Sequence, residues 1–290
     1  MKMKWMVLLI CLAIFSSCKK KEEAAEPPPT STETKTTATT TTAASSTQTT
    51  VTLPAGAPIP ATGVALWLVA DDAKGDATGK LASWSNAAVA GVTATADKPE
   101  LEPTVVPKAL NGHAVVRFDG EQNMLMTNVD ISPARAVDVT VFAVFNSKID
   151  AASPYRKLYG DDNGGYDRAA GLDDRAGEGK NYTVFTGKGV GGYFALKANA
   201  TYVTADQFTK TDFSGWVNGA PGPQKIEANW DDALPNLYIG GTGTSFHEPW
   251  QGDLAEMIVY ARTLTDQERM QVQDYLAKKY GVQITRTAAP

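Results

Sequence analysis

The sequence predicts an all-β domain closed by one C-terminal helix and preceded by a disordered tether. Three observations predict it. Short apolar runs, separated by turn residues about every ten positions, fill the stretch from Gly63 to Ala261. The clearest helix signal comes at the end of the chain, where Thr265-Asp266-Gln267-Glu268 reads as a capping box. Between Ala24 and Thr62 no hydrophobic periodicity exists, so that stretch cannot bury enough apolar surface to offset its conformational entropy.

At the N-terminus, Lys2 and Lys4 precede an uncharged apolar run from Trp5 to Phe15. About 11 residues make roughly 16 Å of helix, against a hydrocarbon core of roughly 30 Å. The run therefore fits the core of an export signal over residues 1–17 and not a spanning helix. It ends in Phe15-Ser16-Ser17-Cys18. Small residues before a cysteine resemble the lipobox of bacterial lipoproteins, with Phe15 standing where that box usually has Leu. The resemblance implies cleavage before Cys18 and acylation of its thiol. Cys11 lies in the removed segment, so Cys18 remains alone and neither an internal disulfide nor a thiolate metal cluster can form. Several acyl chains on Cys18 would anchor the protein firmly to a membrane. The expected location is the bacterial cell envelope, at the outer membrane or cell surface.

Residues 18–62 then form the tether: Pro27-Pro28-Pro29, a Thr-rich tract, and Pro54, Pro58 and Pro60 at its end. A coil of about 44 residues has a root-mean-square span of roughly 40 Å. Reach is its expected role, and the domain from residue 62 onward is expected to fold equally well without it. Without Lys2 and Lys4 the chain keeps 25 basic residues against 32 acidic ones, a net charge of −7. That balance argues against nucleic acid or anionic lipid as the main partner.

The domain, residues 63–285 with a short tail at 286–290, offers eight strand candidates. They are Val64–Ala70, Ala114–Asp119, Val137–Asn146, Tyr182–Thr186, Gly192–Lys197, Phe213–Asn218, Leu237–Gly241 and Leu254–Ala261. In Val137–Phe145 the odd positions are apolar throughout and the even ones become so after Thr140, which predicts a central strand covered on both faces for part of its length. Val272, Tyr275, Leu276 and Tyr280 give the terminal helix an apolar stripe, and Gly281 ends it.

Three segments resemble the bacterial LamG-like branch of the concanavalin A-like lectin/glucanase superfamily: Ala65-Leu-Trp-Leu-Val-Ala-Asp71 through Trp84, Leu110–Gly120, and Gly252–Tyr260 with the capped helix. The resemblance implies a jelly-roll sandwich of two antiparallel sheets. It leaves function open, because that fold hosts lectins, adhesive modules, glycosidases and structural caps.

Catalysis by a retaining glycosidase needs two carboxylates roughly 5–5.5 Å apart, and within one strand these would be two or four positions apart. No strand candidate offers such a pair; Asp253 and Glu256 are expected on opposite faces, with Glu256 a paired framework carboxylate. His113 and His247 accompany neither a zinc motif nor a nucleophile elbow. The richest stretch runs from Leu158 to Arg175. There Asp161, Asp162, Asn163 and Asp167 could offer oxygen ligands to Ca²⁺, while the bland reading has Asp167–Arg168 and Asp174–Arg175 as surface pairs in a turn-rich loop. Trp67, Trp84, Trp216 and Trp250 read as core. Trp230 and Tyr166 lie where strand pattern fails and are expected to be exposed, suited to stacking on sugar rings. A ligand site on Asp161, Asp162, Asn163, Tyr166 and Trp230 follows. The function expected is recognition of a glycan or surface protein without catalysis, with possible use of Ca²⁺. A polysaccharide hydrolase or lyase is the alternative from another class, and a purely structural envelope role the third.

Overall fold

A computed structural model describes residues 51, 53, 57–150, 155–177, 179–222, 225–231, 233–243 and 248–286. The signal segment, Cys18 and most of the tether lie outside the described residues, as does His247.

In chain order the strands are β1 (Val64–Val69), β2 (Ser83–Ser85), β3 (Thr93–Thr95), β4 (Thr104–Leu110), β5 (His113–Asp119), β6 (Leu125–Thr127), β7 (Val139–Ser147), β8 (Arg156–Gly160) and β9 (Ala169–Leu172). They continue as β10 (Tyr182–Phe185), β11 (Val190–Phe194), β12 (Thr201–Phe208), β13 (Asp212–Val217), β14 (Ala220–Pro221), β15 (Ile226–Glu227), β16 (Tyr238–Ile239) and β17 (Gln251–Tyr260), followed by helix α1 (Asp266–Tyr280). Two antiparallel sheets result. The first runs β14-β13-β12-β7-β17-β5-β4, with β1 also on β17 and β15 on β13; the second runs β11-β10-β9-β8-β16-β6-β3-β2. This is the jelly-roll sandwich with a C-terminal helix that the sequence predicts.

Central strand β7 is buried on both faces, because it lies between β12 and β17 and because both sides of its sheet are covered. Val139, Val141, Ala143 and Phe145 face the inter-sheet core. Phe142 and Val144 face a second apolar layer beneath α1, which Val272, Leu276 and Tyr280 complete. The capping box forms as read: the Thr265 side chain accepts from the Glu268 amide, and Gly281 closes the helix in a left-handed conformation at φ 68°.

Several expectations are corrected. The segment before Gly63 is part of the domain. Ile59 is buried, Tyr260 Oη donates to Pro60 O at 3.0 Å, and Val51 bridges Val89. Asp253 and Glu256 share the helix-side face of β17, because the register slips between Leu254 and Glu256. They remain separate: Asp253 binds Arg117 and Lys148, while Glu256 is buried under Trp67, Lys279 and Tyr280, a framework carboxylate as expected. Strands β8, β9 and β12 carry no strand pattern in the sequence, yet β8 and β9 form the hairpin that bears the Asp-rich loop.

Candidate active site

Helix α1 covers the first sheet, and the outer face of the second is crossed by loops. Alternation on β10 shows which face is which. Tyr182 and Val184 belong to the inter-sheet core, so Thr183 and Phe185 point outward. Lys157 on β8 shares that outer face: its Nζ donates to Thr183 Oγ1 at 3.2 Å and lies 4.1 Å from the Phe185 ring centre.

Two carboxylates meet there from distant parts of the chain. Asp173 follows β9, its amide bonded to Asn181 O at 2.9 Å. Glu248 precedes β17 and is pinned on both sides: Lys157 N donates to Glu248 O at 2.9 Å, and Arg156 Nη1 donates to Pro249 O at 3.0 Å. Two residues on, the fully buried Trp250 ring packs edge-on against Phe145. Arg175 joins the two acids. Asp173 Oδ2 and Glu248 Oε1 accept from Arg175 Nη2 at 2.5 and 3.0 Å, so these two oxygens lie no more than about 5.5 Å apart, a limit that includes the roughly 5–5.5 Å carboxyl spacing of retaining glycosidases.

Their environments drive the two acids apart. Burial raises the Glu248 carboxyl above its ordinary range, despite the charges of Lys157 and Arg175, and its Oε2 is buried with no partner. Burial alone would raise Asp173 too. Hydrogen bonds from Arg175 and the charge of Lys157, whose Nζ donates to Oδ2 at 2.8 Å, overcome it and hold Asp173 below the usual range. Two carboxyls whose pKa values are pushed in opposite directions make a pair of the kind that divides into acid and base at a glycosidic bond. The Arg175 guanidinium also lies 3.7 Å from the Tyr155 ring centre and 5.6 Å from that of Tyr166. Tyr166 holds a left-handed backbone at φ 60° and sets its ring edge-on to Phe185. It therefore borders this cluster.

The other residues singled out from the sequence fall differently. Trp230 is buried, not exposed: its Nε1 donates to Phe185 O at 3.0 Å, and the ring packs against Phe208 and the Arg168 guanidinium. It cannot stack on a ligand. Asp161, Asp162, Asn163 and Asp167 are not drawn together as a calcium cage. Asp161 is buried with both oxygens unpartnered, and burial together with the charge of Asp167 raises its carboxyl strongly. Asp162 Oδ1 accepts from the Gly164 and Asp167 amides, and Asp167 Oδ2 from the Asn163 amide, so both cap their own loop. Among the described residues no group of three or more His, Cys, Asp and Glu side chains could hold a metal ion. The expected surface pairs also dissolve. Arg168 is buried and donates to Ile131 O, Ala136 O and Val137 O, while Arg175 bonds to Asp173 and Glu248. The loop does meet the segment around Trp230, through Gly165, which packs against Asp231.

No family model matches this sequence, and no curated protein matches it in sequence. Solved structures match its fold. A Trypanosoma rangeli sialidase in complex with sialic acid shares 16% identity at a TM-score of 0.52, over 76% of this chain and 34% of the sialidase. The same sialidase with 2-keto-3-deoxy-D-glycero-D-galacto-2,3-difluoro-nononic acid gives 15% identity and 0.52, over 80% and 37%. A GH54 α-L-arabinofuranosidase soaked with a cyclic sulfate inhibitor gives 13% and 0.52, over 69% and 51%. This chain thus spans between a third and a half of the length of those proteins, and at such identities the likeness is one of fold. It is nevertheless a β-sandwich fold found in glycosidase chains, and this corrects the expectation of a domain without catalysis. That expectation rested on finding no carboxylate pair within one strand. The pair present is assembled from two segments, with 73 positions between Arg175 and Glu248.

Proposed function

We propose that the domain acts on polysaccharide as a retaining glycoside hydrolase at the outer face of the second sheet, and that Cys18 carries the lipid holding it in the cell envelope. The observation that carries the catalytic reading is the pair of carboxylates sharing Arg175 Nη2, one raised and one lowered in pKa. Glu248 would protonate the leaving glycosidic oxygen as Asp173 attacks the anomeric carbon to give a glycosyl ester. Glu248, now ionised, would then take a proton from the water that hydrolyses that ester. Arg175 has to release Glu248 for a sugar to enter. It sits on an exposed turn with 28% of its side chain accessible and already stacks on Tyr155, which offers it a resting place outside the pair. The glycosidases that share the fold support the substrate class.

The test is reducing-sugar release by the full-length protein from a panel of bacterial, plant and host polysaccharides, with the product anomer read by NMR. Turnover with retention is expected. Glu248→Gln, which keeps the side-chain shape, should lower kcat by about 10²–10⁴-fold. Turnover unaffected by Glu248→Gln, or no hydrolysis of any glycan on the panel, would sink the reading.

A further inference from the structure

Lys157 is wholly buried on a sheet face. Burial disfavours its ammonium, and replacing buried ion pairs by apolar groups is often neutral or stabilising, so fold stability alone does not account for it. Its anchoring is tight. Nζ donates to Asp173 Oδ2 at 2.8 Å and to Thr183 Oγ1 at 3.2 Å, and it faces the Phe185 ring. The Thr183 hydroxyl in turn reaches Gly171 O at 3.3 Å. At Gly171 a Cβ would stand 2.5 Å from Lys157 Cα, so the strands close in at that level. The charged groups facing Lys157 are Asp173, Glu248 and Arg175.

Asp173 is thus held by two cations of different freedom. Arg175 hangs from a turn and is partly exposed, whereas Lys157 is fixed by three strands. We infer that Lys157 is a positioning residue that keeps the Asp173 carboxylate in place opposite Glu248 once Arg175 has swung away to admit the sugar. Its effect on turnover rests on the hydrolase reading; its hold on Asp173 does not.

The experiment uses the full chain with Lys157→Met, and with Thr183→Val as the variant that keeps the ammonium but removes one of its anchors. The Asp173 carboxyl is titrated by ¹³C NMR, and kcat/KM is followed against pH. In Lys157→Met the Asp173 midpoint should rise by about one pH unit or more, as expected for a lost cation at contact distance. The acid limb of the rate profile should move with it, and kcat should fall at least about tenfold while KM stays within about twofold. Thr183→Val should move both midpoints the same way by less. An unchanged Asp173 titration in folded Lys157→Met overturns the inference whatever the activity. If that variant does not fold, an unchanged titration in Thr183→Val does so. A shifted titration in a chain that hydrolyses nothing overturns the hydrolase reading and leaves Lys157 as the group that sets the charge of Asp173.

Discussion

Asp206 is uncomfortably placed in this sandwich. It projects from β12 into the inter-sheet core, fully buried, where Tyr159 Oη and Tyr182 Oη donate to its Oδ2 at 2.8 and 2.6 Å while Oδ1 has no partner. Burial raises its carboxyl from 3.8 to about 6, and the two phenols only partly offset that rise. A carboxyl whose folded pKa is raised favours folding in its protonated form. Its penalty is therefore absent below pH 4, grows as pH rises from about 4 to 6, and is complete above that. The full shift corresponds to about 3 kcal/mol for this buried group. Asp206→Asn, which imitates the protonated acid, should accordingly stabilise the domain by up to about 3 kcal/mol at pH 8 and by almost nothing at pH 4. Urea unfolding at the two pH values checks this, and an equal effect at both would show that the carboxyl is not the cause. Trp230 teaches the complementary lesson: a polar sequence neighbourhood does not place a ring in solvent when a cation, an aromatic ring and a backbone carbonyl wait inside.

At the scale of elements, α1 and the segment leading into β1 form one unit against the first sheet. Gln271 Nε2 donates to Pro58 O at 3.0 Å, Arg262 Nε to Thr62 O at 2.9 Å, and Ile59 is buried beside Leu264 and Val272. A chain beginning at Gly63 loses all three. Burying a side chain the size of Ile is worth about 1.5–3 kcal/mol. A chain beginning at Gly63 should therefore be less stable by about 2 kcal/mol than one beginning at Gln48. Coincident urea midpoints would mean that residues 48–62 contribute nothing. Strand β17 shows how one irregularity reassigns a face. Its register slip turns Asp253 and Glu256 to the same side, yet each finds its own cations and no shared site results.

On the scale of the whole molecule, the two sheets differ in what lies over them. Apolar side chains of the first pack under α1, and loops over the second gather charge and aromatic rings around Asp173 and Glu248. Among the described residues no helix is long and apolar enough to cross a membrane. The proposed attachment rests on Cys18. Cys18→Ala should move the protein from the membrane fraction to the soluble one or leave an uncleaved precursor, with the triacylated N-terminal peptide lost from the mass spectrum. An unmodified mature N-terminus elsewhere in the wild-type chain would end the lipoprotein reading.

The sequence by itself determined whatever rests on local chemistry. The capping box at Thr265 and Glu268 and the stop at Gly281 are contacts between near neighbours, so their residue types suffice. The two-faced burial of β7 was legible because side chains alternate with a period of two and both phases are apolar. The all-β class follows from the same periodicity. Strands β8 and β9 were illegible for the converse reason: Arg156-Lys-Leu-Tyr-Gly160 and Ala169-Ala-Gly-Leu172 alternate nothing apolar with polar, and become strands only because the neighbouring ladder supplies their hydrogen bonds. What the tertiary structure alone decided is the pairing of charges. Arg175 follows Asp174 in sequence, yet its guanidinium bonds Asp173 and Glu248. Partners for a charge are chosen by distance and desolvation, and in an antiparallel sandwich the strands that set those distances come from far apart in the chain.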